Sequence, residues 1–188
     1  MQGMRKGWFD IPGEQEGART LTEQMFGLEP AFESCAGKDV LDLGCAEGLI
    51  AREFVARGAR TAVGIDNNEG FVVQARGLMD GHPRLRFAFR DLNDLDDDFV
   101  DVYSADIVLC LAILHKLRLP GRSLALAARM ARERLVIRLA AGSTGHIRHK
   151  HGDGACDSRE VMPPLGFRLE CELPGPRGEQ VQHWVRGK

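Results

Sequence analysis

The sequence lacks the features that would place the chain in a membrane, in an oxidising compartment or around a zinc ion. It has no stretch of about 18 apolar residues, so we expect no transmembrane helix. Residues 1–8 are not followed by the apolar region of a signal peptide. The five cysteines are scattered singly, with no CxxC pair, which is neither a zinc pattern nor a disulfide framework. Isolated thiols are typical of a reducing compartment, and we expect a cytoplasmic protein without membrane contact.

The chain also has little net charge. Its 25 lysines and arginines and 27 aspartates and glutamates leave a formal net charge of −2. Proteins that wrap nucleic acid usually carry a strongly basic face, so the total gives no support for a nucleic-acid partner, although it does not exclude a local basic patch. The 188 residues fit one domain. We divide it into an N-terminal lid and helix segment, 1–36, and a core, 37–188.

The N-terminal segment differs from the rest of the chain. Residues 8–13 contain Pro12 and Gly13 and are typical of a loop. Thr20 followed three residues later by Glu23 is the pattern of a capping box. Apolar residues then recur at helical spacing, at Leu21, Met25, Leu28 and Phe32. These observations predict one helix over 20–35.

The remainder alternates between strands and helices. Apolar runs predict strands over 39–43, 61–65, 85–89, 105–110 and 134–140, with helices over 47–57, 69–79 and 121–131 between them. Such alternation implies a parallel sheet covered on both faces. A short helix over 157–165 then precedes strands over 166–173 and 180–186, whose connection is too short for a crossover. We therefore predict an α/β, Rossmann-like doubly wound sheet that is mostly parallel and ends in an antiparallel hairpin.

The strongest functional signal is the segment 40–48, where a strand ends in a turn of small residues that opens into a helix. Small residues let a ligand approach the backbone, and free amides at the helix start can donate to it. The spacing is Gly44-x-Ala46-x-Gly48 and not the GxGxxG of dinucleotide sites. The preceding acid, Asp42, would repel a pyrophosphate. It would suit a ligand that carries an amine and a sulfonium.

Two further strand ends carry acids. Asp66 ends the second core strand, about 20 residues past the turn, where a carboxylate can accept both hydrogen bonds of a ribose diol. Asp91 follows the third strand, where a polar residue can meet the exocyclic amine of adenine. Together the three strand ends describe a pocket for an adenosine with a charged amino-acid tail, at the carboxyl edge of the sheet.

These motifs resemble those of class I, Rossmann-like methyltransferases. The segment 40–51 resembles motif I of that family, Asp66 the acid of motif II, Asp91 that of motif III, and 103–117 the motif IV strand and turn. The resemblance covers 39–140 in detail and the C-terminal hairpin in outline, and it implies a seven-stranded sheet and S-adenosylmethionine as the cofactor. The binding residues that it implies are Asp42, Gly44, Cys45, Ala46, Gly48, Asp66, Asn67, Asp91, Leu92 and the backbone of Cys110 and Leu111.

Each of these residues also has a purely structural interpretation. Asp42 could cap the turn, and Asp66 could be an ordinary strand-end acid. Asp91 begins an acid-rich stretch that extends to Asp101 and could be a solvated loop. Cys110 reads as a small core residue and not as a nucleophile, because it lacks the Pro-Cys context of the cytosine C5 methyltransferases.

Histidines stand near the predicted point of methyl transfer. His115 follows the fourth strand and is either a general base for an acceptor hydroxyl or a structural residue. The segment 142–154, after the fifth strand, reads as a glycine-flanked loop on the active-site side. It contains His146, His149, His151 and Asp153. These residues could bind a metal, contact a substrate or phosphate, or belong to a plain polar loop. The in-line reaction requires no metal, and we expect none. Trp8 and Phe9 either close over the site as a lid or simply pack against the rest of the protein.

The class of methyl acceptor is predicted from the motifs and domains that the chain lacks. There is no Asn-Pro-Pro-Tyr at 110–113, which argues against N-methylation of adenine or glutamine, and there is no separate recognition domain. The lack of a recognition domain favours a small-molecule acceptor, methylated at oxygen or nitrogen. A narrower resemblance is to the tRNA wobble-uridine carboxymethyltransferases, which use a carboxylated cofactor, and it rests on 58–66, Phe71, Gln74, 114–116 and Pro120. A non-catalytic cofactor-binding module is a third hypothesis, and a nicotinamide oxidoreductase is disfavoured by Asp42 and the missing GxGxxG.

Overall fold

A computed structural model describes residues 5–11, 15–143, 145–148 and 155–187. The strands are β1 (Arg5–Phe9), β2 (Gln15–Arg19), β3 (Asp39–Leu43), β4 (Thr61–Asp66), β5 (Leu85–Phe89), β6 (Ala105–Leu111), β7 (Ala131–Leu139), β8 (His146–Arg148), β9 (Ala155–Asp157), β10 (Phe167–Pro174) and β11 (Gln180–Arg186). The α-helices are α1 (Leu21–Met25), α2 (Glu29–Glu33), α3 (Leu49–Ala56), α4 (Glu69–Leu78), α5 (Asp97–Tyr103), α6 (Pro120–Met130) and α7 (Ser158–Val161). Short 3₁₀ helices occupy Leu92–Asp94, Leu114–Lys116, Pro163–Leu165 and Pro176–Gly178. Of the described helices, none is long and apolar enough to cross a membrane.

Seven strands form one sheet in the order β10-β11-β7-β6-β3-β4-β5. Strands β5, β4, β3, β6 and β7 are parallel to their neighbours, whereas β11 is antiparallel to both β7 and β10. The predicted architecture, a mostly parallel sheet that ends in an antiparallel hairpin, is confirmed. The strand order reverses next to β3, and ligands of open α/β sheets bind at such a switch point.

Side chains of the central strands alternate between two apolar cores. Leu41 and Leu43 of β3 belong to the core that is shared with α5, α6 and the C-terminal hairpin. Val40 belongs to the other core, which is shared with α1 to α4. Because successive residues of a strand face opposite sides, Asp42 lies on the same face as Val40, beneath the helices that follow β2 and β3.

The predicted helix over 20–35 is wrong as a single element. The capping box is present, since Thr20 Oγ1 accepts from the Glu23 amide at 3.1 Å and Glu23 Oε2 from the Thr20 amide at 2.9 Å. The helix nevertheless ends at Met25, and α2 begins only at Glu29. Gly27 between them has φ +81°, a left-handed conformation that stops a right-handed helix. The predicted loop over 8–13 is also wrong in part, because Trp8 and Phe9 belong to β1, which pairs with β2.

Two segments contain regular structure, one that was predicted as a loop and one for which a solvated loop was an alternative. The acid-rich stretch 91–101 contains a 3₁₀ helix and the first part of α5, which Asp96 caps by accepting from the Phe99 amide at 2.8 Å. Acids at a helix start are favourable because the amides there carry partial positive charge. In the segment 142–154, β8 pairs antiparallel with β9 and places His146 opposite Asp157. His149, His151 and Asp153 lie outside the described residues.

Candidate active site

The turn between β3 and α3 has three left-handed residues. They are Gly44 (φ +83°), Ala46 (φ +47°) and Gly48 (φ +76°). A Cβ on Gly48 would lie 2.3 Å from the Phe87 ring, so only glycine fits there. A Cβ on Gly44 would lie 3.1 Å from the Ile113 side chain, which brings the turn against the segment that follows β6. The small residues therefore serve both the sharp turn and the close packing around it.

Most amides of the turn itself are used within the protein. Those of Gly44 and Cys45 donate to the Ile65 carbonyl at 2.8 and 3.0 Å, and that of Gly48 donates to Cys45. The first amide bonded inside α3 is that of Arg52, which donates to the Gly48 carbonyl. Within the described part of the chain, the amides at 49–51 have no acceptor. The Glu47 amide likewise has no acceptor among the described residues, so the free donors are this amide and those in the first turn of α3.

Asp66 links two elements of the site. Its Oδ2 accepts from the Ala46 amide at 2.9 Å, and its Oδ1 accepts from the Asn68 amide at 2.8 Å. The carboxylate thus ties the end of β4 to the glycine turn, a role that the sequence did not predict. Each carboxylate oxygen has a second lone pair, so a diol can still donate to both of them. Asn67, which was predicted beside it, is exposed.

Asp91 follows β5, whose last residue, Phe89, pairs with Asp66. The Arg90 amide donates to the Asp66 carbonyl at 3.0 Å, which joins the ends of β4 and β5. Asp91 caps the following 3₁₀ helix, where its Oδ1 accepts from the amide and the side chain of Asn93, both at 2.9 Å. The Leu92 side chain is buried in the core, so only its backbone can meet a ligand.

Asp42 is a buried acid without a hydrogen bond from any described residue. Only 2% of its surface is exposed. Burial, together with the negative charge of the neighbouring Asp66, raises the pKa of this carboxyl to about 7, although Arg138 acts to lower it. The arrangement leaves a negative charge that a cationic ligand would stabilise. The structure therefore brings the three predicted acids to three neighbouring strand ends, with Asp42 and Asp66 electrostatically coupled.

Glu47 is a site residue whose role the sequence did not reveal. Its carboxylate is fully buried and accepts from the amides of Trp8 and Phe9, at 2.7 and 3.3 Å, and from Gln15 Nε2 at 2.8 Å. Gln15 in turn accepts from Gln74 Nε2 at 2.6 Å. The carboxylate thus holds β1 and β2 over the glycine turn. The one hint in the sequence was an acid within a turn of small residues.

The two aromatic residues of β1 have different surroundings. Phe9 is buried in the apolar core on the side of α3. Trp8 is half-buried, and Lys116 Nζ lies 4.8 Å from its ring centre, within range of a cation–π contact. Trp8 therefore lies beside the 3₁₀ helix Leu114–Lys116, which carries the predicted catalytic residue His115.

The residues after β6 form the other wall of the site. Cys110 is buried in the core, and burial raises the pKa of its thiol well above the ordinary value, so it is not a ready nucleophile. Leu111 is half-buried, and Ala112 after it has φ +57°. His115 is half-buried, and β8 packs against its 3₁₀ helix. The described residues contain no group of three or more metal-ligating side chains.

A second unpredicted group of residues is a buried ionic cluster of Arg19, Arg138 and Glu179. Arg19 Nη2 donates to Glu179 Oε1 at 2.8 Å. Arg138 donates to the side chain and the carbonyl of Gln24, at 2.8 and 2.7 Å, and its Nε lies 3.9 Å from Glu179 Oε2. Burial lowers the pKa of Arg138 to about 10. Three buried atoms of the cluster have no hydrogen-bond partner among the described residues, and they are Arg19 Nη1, Arg138 Nε and Glu179 Oε2.

Replacement of Ala46 by glycine is expected to stabilise the protein by about 0.5–1 kcal/mol. A left-handed backbone costs an L-residue about 1–2 kcal/mol, and the greater freedom of unfolded glycine offsets about half of that. Urea denaturation measures the change. As a matched control, Ala51→Gly in the right-handed α3 should lose about 1 kcal/mol. Equal losses for both variants would contradict the left-handed assignment of Ala46.

Comparison with known proteins agrees with this geometry. The family described as "Methyltransferase domain" matches residues 40–134, from β3 into β7. The crystal structure of magnesium protoporphyrin IX methyltransferase from Synechocystis PCC 6803 with bound SAM superposes with a TM-score of 0.67. It is 20% identical, and the match covers 88% of this chain and 81% of that one.

Curated relatives are O-methyltransferases. The ubiquinone biosynthesis O-methyltransferase of Hahella chejuensis is 28% identical over 127 residues, which is 66% of this chain and 52% of that protein. The enzyme of the same name from Neisseria meningitidis serogroup A is 24% identical over 133 residues, with the same coverage. The chain thus spans about half the length of these relatives. By the family match and the sheet topology, the chain belongs to the class I, S-adenosylmethionine-dependent methyltransferases.

Proposed function

We propose that the protein transfers a methyl group from S-adenosylmethionine to an oxygen atom of a small molecule. The observation that carries the proposal is the buried carboxylate of Asp42, which has no hydrogen-bond donor among the described residues and adjoins a glycine turn. A buried negative charge requires a cation nearby. The amine and sulfonium of S-adenosylmethionine supply cations on a ligand that also fits the remaining acids.

The residues of the site fit this cofactor. In the proposal, Asp66 accepts from the ribose hydroxyls, and the segment of Asp91 and Leu92 meets the adenine. Asp42 balances the charge of the tail. The backbone of the turn, from Gly44 to Gly48, lies along the tail, together with that of Cys110 and Leu111. Asn67 remains in the proposed set because it adjoins Asp66 in an exposed position.

Arg19 is a further residue of the proposed cofactor site, and it lies outside the family motifs. Its Nη1 is buried without a hydrogen-bond partner, and a guanidinium edge is a natural partner for a carboxylate. The amino-acid tail of the cofactor carries one carboxylate. We therefore assign this carboxylate to Arg19, and the tail then has Asp42 for its amine and Arg19 for its carboxylate.

The acceptor pocket is assigned to the other side of the glycine turn. It would be formed by Trp8, Ile113 and the 3₁₀ helix of His115, which the structure brings together. When bound, S-adenosylmethionine supplies a methyl group that its sulfonium already activates. The protein then has to position the acceptor and exclude water, and His115 is the proposed base for a hydroxyl proton.

An oxygen acceptor is supported by the curated relatives, whose names specify O-methyltransferases. The net charge of −2 weighs against the tRNA-modifying alternative. Filter binding to tRNA at low salt is expected to show no complex, because phosphate contacts would be strongest there. We also propose a single domain over 1–188 and a cytoplasmic location, and the latter is supported by five unpaired cysteines.

Calorimetry with S-adenosylhomocysteine, S-adenosylmethionine and NAD tests the proposal. The two adenosyl amino acids are expected to bind, and NAD is not. Binding of NAD alone would make the protein a nicotinamide enzyme. Methyl transfer to extracted small-molecule pools, followed with a labelled methyl group, then tests turnover. Tight cofactor binding without turnover of any pool would favour the non-catalytic module.

The affinity for S-adenosylhomocysteine is expected to rise about tenfold between pH 6 and pH 8. With the Asp42 pKa at about 7, roughly one tenth of the carboxyl is ionised at pH 6 and roughly nine tenths at pH 8. Only the ionised form attracts the amine. Asp42→Asn should remove the pH dependence, and a slope that survives this substitution would contradict the assignment.

The same titration has the opposite effect on the unliganded protein. The pKa of Asp42 is raised from 3.8 to about 7, so between these values the folded state binds more protons than the unfolded state. The contribution of Asp42 to stability therefore falls as the pH rises toward 7. Urea denaturation of the wild type and of Asp42→Asn over this range measures the difference.

A further inference from the structure

The ionic cluster of Arg19, Arg138 and Glu179 lies outside the part of the chain that matches the methyltransferase family. That match ends at residue 134, while Arg19 ends β2, Arg138 is in β7 and Glu179 precedes β11. The cluster joins the N-terminal segment to the C-terminal hairpin across the sheet. No motif of the family accounts for it, yet its side chains are almost entirely buried, with exposed fractions of 13%, 0% and 8%.

The contacts within the cluster leave some of its hydrogen-bonding atoms without a partner. Glu179 Oε1 accepts from Arg19 Nη2 at 2.8 Å, but Glu179 Oε2 lies 3.9 Å from Arg138 Nε, beyond hydrogen-bonding distance. Arg19 Nη1 is buried and has no partner either. A buried donor without an acceptor is costly, and most buried polar groups in folded proteins are paired. The unused Arg19 donor therefore points to a ligand.

The charges of the cluster define that ligand. Two guanidinium groups and one carboxylate leave one positive charge in excess, which suits an anion. The strand register places Asp42 opposite Leu109, and Leu109 opposite Val136. Arg138 is two residues after Val136, so its side chain lies on the same face of the sheet as Asp42, two strands away. The positive cluster and the buried acid therefore share one face. A ligand that bridges them carries a negative and a positive group a short distance apart. An α-amino acid is such a group, and the cofactor tail ends in one.

The three members have different roles in this arrangement. Arg138 is fixed to the N-terminal segment by its bonds to the side chain and carbonyl of Gln24 and by a 3.2 Å bond to the Phe26 carbonyl. Arg19 has only Glu179 as a described side-chain hydrogen-bond partner, while its guanidinium also lies 6.0 Å from the Trp8 ring centre. A guanidinium is planar, so a bond that holds one of its nitrogens also sets the direction of the other.

We infer that Glu179 is a positioning residue, which orients Arg19 so that its free Nη1 binds the carboxylate of the cofactor tail. The inference rests on the proposed function and extends it to the C-terminal hairpin. Without Glu179, the Arg19 side chain would lose its fixed direction, and the carboxylate would have to order a long side chain on binding. The adenosine part of the site, at Asp66 and Asp91, would be unaffected.

Two ligands that differ in the tail provide the test. S-adenosylhomocysteine has the α-amino acid, and 5′-methylthioadenosine lacks it. Glu179→Gln is expected to weaken binding of S-adenosylhomocysteine about tenfold, the size of a charge-assisted hydrogen bond, and to leave binding of 5′-methylthioadenosine within about twofold. Arg19→Gln should show the same selectivity with a larger loss, and Arg19→Lys should recover part of it. Calorimetry gives both affinities.

Arg177 provides a matched control on the same hairpin. It contacts the N-terminal segment at the Ala18 carbonyl, at 3.0 Å, and at Glu23, at 3.3 Å, without touching Arg19. Arg177→Gln removes a link between the hairpin and the segment. We expect no change in the preference for S-adenosylhomocysteine over 5′-methylthioadenosine. Thermal unfolding of each variant establishes that it is folded.

The outcomes separate the inference from the proposed function. If the wild type binds neither nucleoside, the proposed function is wrong, and the inference falls with it. A second outcome is that the wild type prefers the ligand with the tail, but Glu179→Gln lowers both affinities equally. Glu179 would then only hold the hairpin against the N-terminal segment, and the inference alone would be overturned. If Glu179→Gln leaves both affinities unchanged, the inference is overturned as well.

Discussion

Replacement of Glu47 by alanine is expected to lower the free energy of unfolding by about 3 kcal/mol. The buried carboxylate accepts three hydrogen bonds, from the amides of Trp8 and Phe9 and from Gln15. Hydrogen bonds to a charged group are worth about 1.5–3 kcal/mol each, but alanine also removes the cost of burying the carboxylate. In a chain of this length, a loss of that size lowers Tm by about 6–12 °C.

Glu53→Ala in α3, the helix that begins two residues after Glu47, is the control for this prediction. Glu53 pairs with Arg57 at the surface, four residues on, and such pairs contribute about 0.3–0.5 kcal/mol. Both variants remove one carboxylate, Glu47 from the turn before α3 and Glu53 from α3 itself, so the difference between them isolates burial and the contacts to β1 and β2. A loss below 1 kcal/mol for Glu47→Ala would show that the N-terminal strands are held by other contacts.

The Glu47 variant also bears on function, because β1 and β2 carry residues that both parts of the proposed site use. Trp8 lies beside Lys116 on the acceptor side, and Arg19 ends β2. A loosened segment would therefore weaken cofactor binding through Arg19. The stability of the N-terminal segment and the affinity of the site are thus expected to change together, although their residues are far apart in sequence.

The fold was predictable because it depends on local patterns. Short, mostly apolar runs at 39–43, 61–65 and 105–110 indicated buried strands, and the helical segments between them indicated parallel connections. The acids were predictable for the same reason, since parallel strands all end at one edge. The N-terminal helix was mispredicted because the apolar spacing continues through Gly27, whose left-handed backbone interrupts it.

The remaining site residues were not predictable, because tertiary packing alone brings them together. Arg19 and Glu179 are 160 positions apart, and Arg138 and Gln24 are 114 apart. No periodicity or spacing relates such residues, and a lone arginine on a strand has no distinctive signature. The Asp66 contact to Ala46 was missed for a related reason, since the sequence shows an acid near a turn but not which amide it accepts from.

Asp66→Ala is expected to weaken binding of S-adenosylhomocysteine about 100-fold. The proposed role gives the carboxylate two hydrogen bonds from the ribose diol, together worth about 3 kcal/mol. Asp101→Ala is the control, because Asp101 is an exposed acid of α5 and should leave the affinity unchanged. Calorimetry measures both variants.

The contact between Asp66 and the Ala46 amide makes a second comparison necessary. Loss of this 2.9 Å bond could disturb the turn and weaken every ligand alike. Adenosine and 2′,3′-dideoxyadenosine distinguish the two causes, since only the first has the diol. If Asp66 binds the ribose, the substitution weakens adenosine strongly and the dideoxynucleoside little, as in a double-mutant cycle between protein and ligand. Equal losses would mean that Asp66 acts by holding the turn, and the ribose would then need another acceptor at the end of β4.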